Sequence, residues 1–188
     1  MTMRKTIEVV TRLSREGVIR NYAITGAVAA LNYIQPTLTE DLDILISVEG
    51  FERRVSGLLL LGPIETALAE LGYTERSSVG YMIEGWPVQF LPVASPLDEE
   101  ALQQAVELEI DGSAQPPVKA RCLRAEHLVA IALKVGRLKD LARIDAFLEQ
   151  GAVDLTVLKR VLERHGLMDA WKSYSLKFSK INVFQAGG

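Results

Sequence analysis

At 188 residues, with 48% hydrophobic and 24% charged residues, the chain can build one core, or a core with a small helical appendage. A net charge of −3 excludes the electrostatic footprint of a bulk nucleic-acid binder, while leaving room for a local basic patch. A single cysteine, Cys122, excludes an intramolecular disulfide and fits a reducing cytoplasm as a small buried hydrophobe. Ile7, Val10 and Leu13 recur at helical spacing, so a helix is expected over Thr6 to Glu16, stopped by Gly17. Strand, helix and strand follow between Asn21 and Val48. Tyr22 to Thr25 reads as a strand, and Ala27 to Leu31 as a helix start rich in small residues. Pro63 to Leu71 is expected to be helical, closed by Gly72-Tyr73. Short strands are expected at Tyr73–Arg76, Tyr81–Glu84 and Pro87–Leu91, the last two joined through Gly85-Trp86-Pro87. Pro96 opens a helix through Val106. Leu108–Ile110 and Val118–Ala120 are expected to pair across Asp111-Gly112.

From Arg124 the pattern is helical, divided at Gly136, Gly151 and Gly166, and residues 174–188 read as a frayed tail. Strands followed by a helical run indicate an α/β (α+β) fold, a mixed sheet flanked by helices with a helical C-terminal half. The expected domains are an α/β core over 1–120, a helical region over 121–173 and the tail. No basic, apolar and small-residue leader opens the sequence, and the longest apolar run, near Leu58–Leu61, is too short for a bilayer. A cytoplasmic protein without membrane contact is therefore expected.

The informative stretch is Tyr22-Ala-Ile-Thr-Gly-Ala-Val-Ala-Ala, then Thr39-Glu-Asp-Leu-Asp-Ile-Leu-Ile46. Strand side chains alternate between faces, so Asp41 and Asp43 share one side while Leu42, Ile44 and Ile46 take the other. Two adjacent carboxylates repel and suit a cation. Mg²⁺ binds through one or two carboxylates plus substrate phosphates at roughly 2.1 Å. Thr25-Gly26 opens a helix, where unpaired N–H groups suit phosphate, with Gly26 allowing close approach and Thr25 adding a hydroxyl. A solvated strand end is the plainer reading of Asp-x-Asp, and its combination with Thr25-Gly26 favours the site.

This arrangement resembles the nucleotidyltransferase superfamily, in particular its minimal branch, which includes AbiEii-like and MenT-like proteins of bacterial toxin–antitoxin and abortive-infection systems. The likeness spans residues 5 to about 172. That pattern has a Gly-Gly or Gly-Ser turn followed by Arg-x-Thr-x-Asp-x-Asp. Here the turn is Thr25-Gly26 and the second part is Thr37-Leu-Thr39-Glu-Asp41-Leu-Asp43, with Thr37 in the place of the Arg.

The resemblance implies a Mg²⁺-dependent transfer of a nucleotide from a nucleoside triphosphate to an RNA, such as a tRNA end, or to a protein acceptor. Asp41 and Asp43 would hold metal, and Thr25, Gly26 and Thr39 would meet the nucleotide. Such proteins usually add a third carboxylate from a later strand. The alternation of Val88-Gln-Phe-Leu91 puts Gln89 in that slot. An amide is a weak Mg²⁺ ligand and no base.

The run Ala132-Leu-Lys134-Val-Gly-Arg137-Leu-Lys-Asp140-Leu-Ala-Arg143 looks like the Lys, Arg and Asp segment of these proteins. Lys134 would face the Asp-x-Asp strand and reach the triphosphate as a point charge. Arg137 would fork onto phosphate oxygens. Asp140 would replace the missing acid or pair with a basic neighbour, since a solvated basic helix face gives the same pattern. The rival to catalysis is a nucleotide-binding or protein-interaction module on the same fold, motivated by Gln89 and Thr37. An antitoxin partner, and a homodimer through Val55–Leu61, complete the expected partners.

Overall fold

The computed structural model describes residues 3–35, 39–51, 61–110 and 118–177. Helix α1, Met3–Arg15, buries Thr6, Ile7, Val10 and Leu13 along one stripe. It begins before the expected Thr6 because Thr6 is itself a core residue, donating its hydroxyl to Ile83 O at 3.1 Å. Strand β1 is Tyr22–Ile24, helix α2 Gly26–Ala30 and strand β2 Leu42–Ile46. Helix α3, Gly62–Glu70, carries Pro63 in its first turn, where a missing N–H costs nothing. Strands β3, Tyr81–Ile83, and β4, Trp86–Pro92, form a hairpin whose Glu84 and Gly85 both have positive φ, 51° and 82°.

Tyr73–Arg76, expected as a strand, contributes only a single bridge, Arg76 to Tyr81. Thr74, Glu75 and Arg76 are all exposed, so the segment has no apolar face to bury. Arg76 instead stacks on the Tyr81 ring at 3.9 Å and pairs with Glu65. Helix α4, Pro96–Gln103, stops short of Val106, which starts strand β5, Val106–Ile110. Strand β6 is Val118–Cys122 and pairs antiparallel with β5. The turn residues Asp111 and Gly112 lie outside the described residues.

The sheet order is β3-β4-β2-β1-β6-β5. β1 runs antiparallel to β2, with Ala23 opposite Leu45, and parallel to β6. β2 runs parallel to β4, with Leu42 opposite Val88, Asp43 opposite Gln89 and Ile44 opposite Phe90. Leu42, Ile44, Ile46, Val88 and Phe90 are buried, while Asp43 and Gln89 are half-buried. The result is the mixed-sheet α/β architecture that the alternation of apolar segments predicts.

The chain divides into two compact units, with the change at Leu123–Arg124 and a short stretch from Tyr33 joining the second. The second unit holds α5, Ala125–Val135; α6, Leu138–Glu149; α7, Leu155–Arg164; and α8, Met168–Lys177. Gly136, Gly151 and Gly166 each follow a helix at φ between 62° and 70°, a left-handed value glycine reaches without strain. Its core includes Phe147, Leu158, Leu162 and Trp171. Residues 174–177 are helical because Tyr174 and Ser175 are buried there. Tyr174 donates to Asp145, and Ser175 donates to Trp171 O at 3.0 Å. Residues 178–188 and the proposed Val55–Leu61 partner surface, apart from Leu61, lie outside the described residues.

Candidate active site

The site is built where β1 turns into α2 beside the start of β2. Thr25 keeps extended backbone, φ −130°, and its N–H donates to Asp43 O at 2.9 Å, which continues the β1–β2 ladder one step. Gly26 then turns the chain at φ +64°. A β-carbon on Gly26 would fall 2.3 Å from Asp43 Oδ2 and 3.3 Å from Asp43 Cβ. The Asp43 side chain therefore lies directly against the Gly26 α-carbon, in space that any other residue at position 26 would fill. The glycine thus makes room for a carboxylate of the chain, in addition to any ligand.

Asp41 precedes β2 by one residue, and like Asp43 it is half-buried beside the fully buried Leu42. Thr39 turns its hydroxyl inward, donating to Asp41 O at 3.0 Å, with Asp41 Oδ1 at 3.5 Å. Its single proton is thus committed to shaping the Asp41 turn, a local role that the sequence did not reveal. Thr25 is largely buried and its side chain does not cap α2. Helix α2 has five residues, so its macrodipole is small and any phosphate attraction rests on the first-turn N–H groups. Thr37 lies outside the described residues.

Gln89 is the parallel-strand neighbour of Asp43, so both side chains project from the same sheet face. The donor set is two carboxylates and one amide oxygen, all hard donors of the kind Mg²⁺ takes. This donor chemistry fits one divalent cation. Among the described residues, no group of three His, Cys, Asp or Glu side chains is placed to hold a metal.

The second unit places the other expected residues. Lys134 is exposed in the last turn of α5, a favourable place for a cation at a helix C-terminus. Arg137 precedes α6, and Asp140 sits in the first turn of that helix. The Asp140 side chain is 4% exposed, and both its oxygens face guanidinium groups. Arg137 Nε donates at 2.6 Å and Arg137 Nη2 at 3.3 Å, while Arg143 Nη1 approaches to 3.6 Å. Of the two roles open to Asp140 in the sequence, the geometry displays the pairing with basic neighbours. Arg143 had no assigned role, although its i,i+3 spacing from Asp140 was a readable signal.

The candidate site thus gathers Asp41 just before β2, Asp43 within it and the turn at Gly26. Neither a family model nor a curated protein matches the sequence. Among solved structures, the chain is similar to an antigenic nucleotidyltransferase-like protein from Paracoccidioides brasiliensis. The TM-score is 0.47 at 15% identity, over 89% of this chain and 90% of that one. It is also similar to ANT(2″)-Ia in complex with adenylyl-2″-tobramycin, with TM-score 0.49 and 14% identity over 86% and 95% of the two chains. The solution structure of the same antibiotic-resistance factor gives 0.49 and 15% over 95% and 98%. At these scores the residues of the site, rather than the likeness, carry the functional argument. No helix among the described residues is long and apolar enough to cross a membrane.

Proposed function

We propose that this protein is a Mg²⁺-dependent nucleotidyltransferase of the minimal type, moving a nucleotide from a nucleoside triphosphate to an acceptor. The observation that carries the reading is the Asp43 carboxylate seated against the Gly26 α-carbon, with Asp41 two residues away. Asp41 and Asp43 would hold the cation, which when bound would neutralise phosphate charge and orient the triphosphate. Gly26 would offer a backbone N–H and Thr25 its hydroxyl to phosphate, and Thr39 holds the turn that aims Asp41. Lys134 and Arg137 are proposed triphosphate ligands on their sequence motif alone. An RNA or protein acceptor, a toxin role and an antitoxin partner belong to the same proposal, supported by the sequence resemblance. The register of Gln89 beside Asp43 favours a second reading, a module that binds nucleotide without turnover.

Calorimetry with Mg²⁺ and a nucleoside triphosphate tests the site. Asp41→Asn combined with Asp43→Asn should weaken binding at least about a hundredfold, roughly 3 kcal/mol, with an unchanged urea midpoint. Unchanged affinity in the double variant defeats the reading. Binding without transfer to any acceptor selects the second one.

A further inference from the structure

Resting on the nucleotide-binding reading of this site, we propose that Gln89 limits it to one divalent cation. We propose too that it thereby selects an acceptor arriving as an oxyanion, a phosphate monoester or carboxylate, instead of a neutral hydroxyl. Three observations converge on this. Gln89 is the direct strand neighbour of Asp43, so the position best placed to add a third carboxylate holds an amide. The amide oxygen is a weak ligand for a hard cation, and the group accepts no proton at neutral pH. Asp140, the other candidate acid, has both oxygens committed to Arg137 and Arg143.

Asp41 and Asp43 can satisfy one cation, but a second would lack a charged ligand. Among the described residues no third acid joins them. A hydroxyl acceptor must lose its proton as it attacks phosphorus, and this set of side chains supplies no group to take it once both aspartates are ligands. An oxyanion needs no such help. Its oxygen forms a bond to the α-phosphorus, the bond from α-phosphorus to the bridging oxygen breaks, and the electron pair leaves with pyrophosphate. No proton moves, and charge and atoms balance.

The cation count is measured first, by titrating Mn²⁺ into the full chain with a saturating non-hydrolysable triphosphate analogue and reading bound Mn²⁺ by electron paramagnetic resonance. One ion per chain is expected for the native protein. Two ions are expected for Gln89→Asp, with broadening from their mutual coupling. Gln89→Glu serves as the second variant if the shorter acid disturbs β4. Two ions in the native chain, or one ion in both folded variants, overturn the proposal. Transfer of labelled nucleotide is then compared among phenyl phosphate, benzoate and benzyl alcohol. Labelling of either anion above the alcohol supports the inference and tells phosphate from carboxylate, whereas equal or faster labelling of the alcohol overturns it. Failure to bind nucleotide at all defeats the functional reading itself, and nucleotide bound with two cations defeats only this inference.

Discussion

The Gly26–Asp43–Gln89 cluster and the Arg137–Asp140–Arg143 cluster are built by opposite means. The first joins a turn, a strand and a second strand, drawing together residues 17 and 46 positions apart in the chain. The second lies within two turns of one helix and its entry residue. A tertiary cluster depends on sheet register, since slipping a strand by one residue sends every side chain to the other face. A helical cluster depends only on i,i+3 spacing and forms whenever the helix does. A change of size or register in the first should therefore show in ligand binding and in sheet packing together, whereas an isosteric Asp→Asn change should show in binding alone. Damage to the second should stay within α6.

After the loss of both aspartates, the largest effect expected is at Gly26. Gly26→Ala should cost about 2–4 kcal/mol, combining a left-handed residue with a side chain and an overlap with Asp43. In an Asp43→Ala background the same change should cost about 1–2 kcal/mol, because the carboxylate oxygen 2.3 Å from the new β-carbon is gone. Urea titration of the four proteins measures this coupling. Additive costs would break the claim that glycine at 26 exists to accommodate Asp43.

The helical cluster predicts a graded, local response. Asp140→Ala removes a buried carboxylate that receives charge-assisted hydrogen bonds, and should cost about 1.5–3 kcal/mol. Arg143→Ala, whose side chain is 16% exposed, should cost less. Arg137→Ala, at 61% exposure, should cost no more than about 1 kcal/mol, because solvent screens that pair. Hydrogen exchange should place the losses in α6. Equal losses at the two arginines would remove burial as the deciding variable.

The smallest effect concerns Cys122, which is fully buried on β6, with Asn32 Nδ2 4.0 Å from its sulfur. Burial pushes its thiol from 9.0 up to about 12. Folding favours the protonated thiol, so this contribution to stability is complete below about pH 9 and is lost as pH rises towards 12. The folded protein should resist thiol reagents at pH 8 and react on unfolding. Rapid labelling of the native chain would show that this part of the sheet opens.

Much of the architecture was legible in residue order. Ile7, Val10 and Leu13 announced α1, the alternation around Asp43 announced β2, and Gly136, Gly151 and Gly166 marked the helical divisions, because local periodicity follows from backbone geometry. Tyr73–Arg76 was misread as a strand because β-prone residues commit to a sheet only when they have an apolar face to bury. The helix after Pro96 was read too long because the strand preference of β-branched Val106 was overlooked, and Val106 pairs with Cys122 in the adjacent strand.

By itself, then, the sequence determined the candidate residues and the periods that carry them: the Asp-x-Asp pair, the glycine turn and the Lys, Arg and Asp run. Tertiary structure decided what those residues touch. Thr39 turned inward to Asp41, Asp140 closed onto two arginines, and Gly26 proved to be sized by Asp43. The physical reason is that side-chain partners depend on strand register and helix packing, which arise from contacts between distant segments, whereas periodicity is a property of the local backbone.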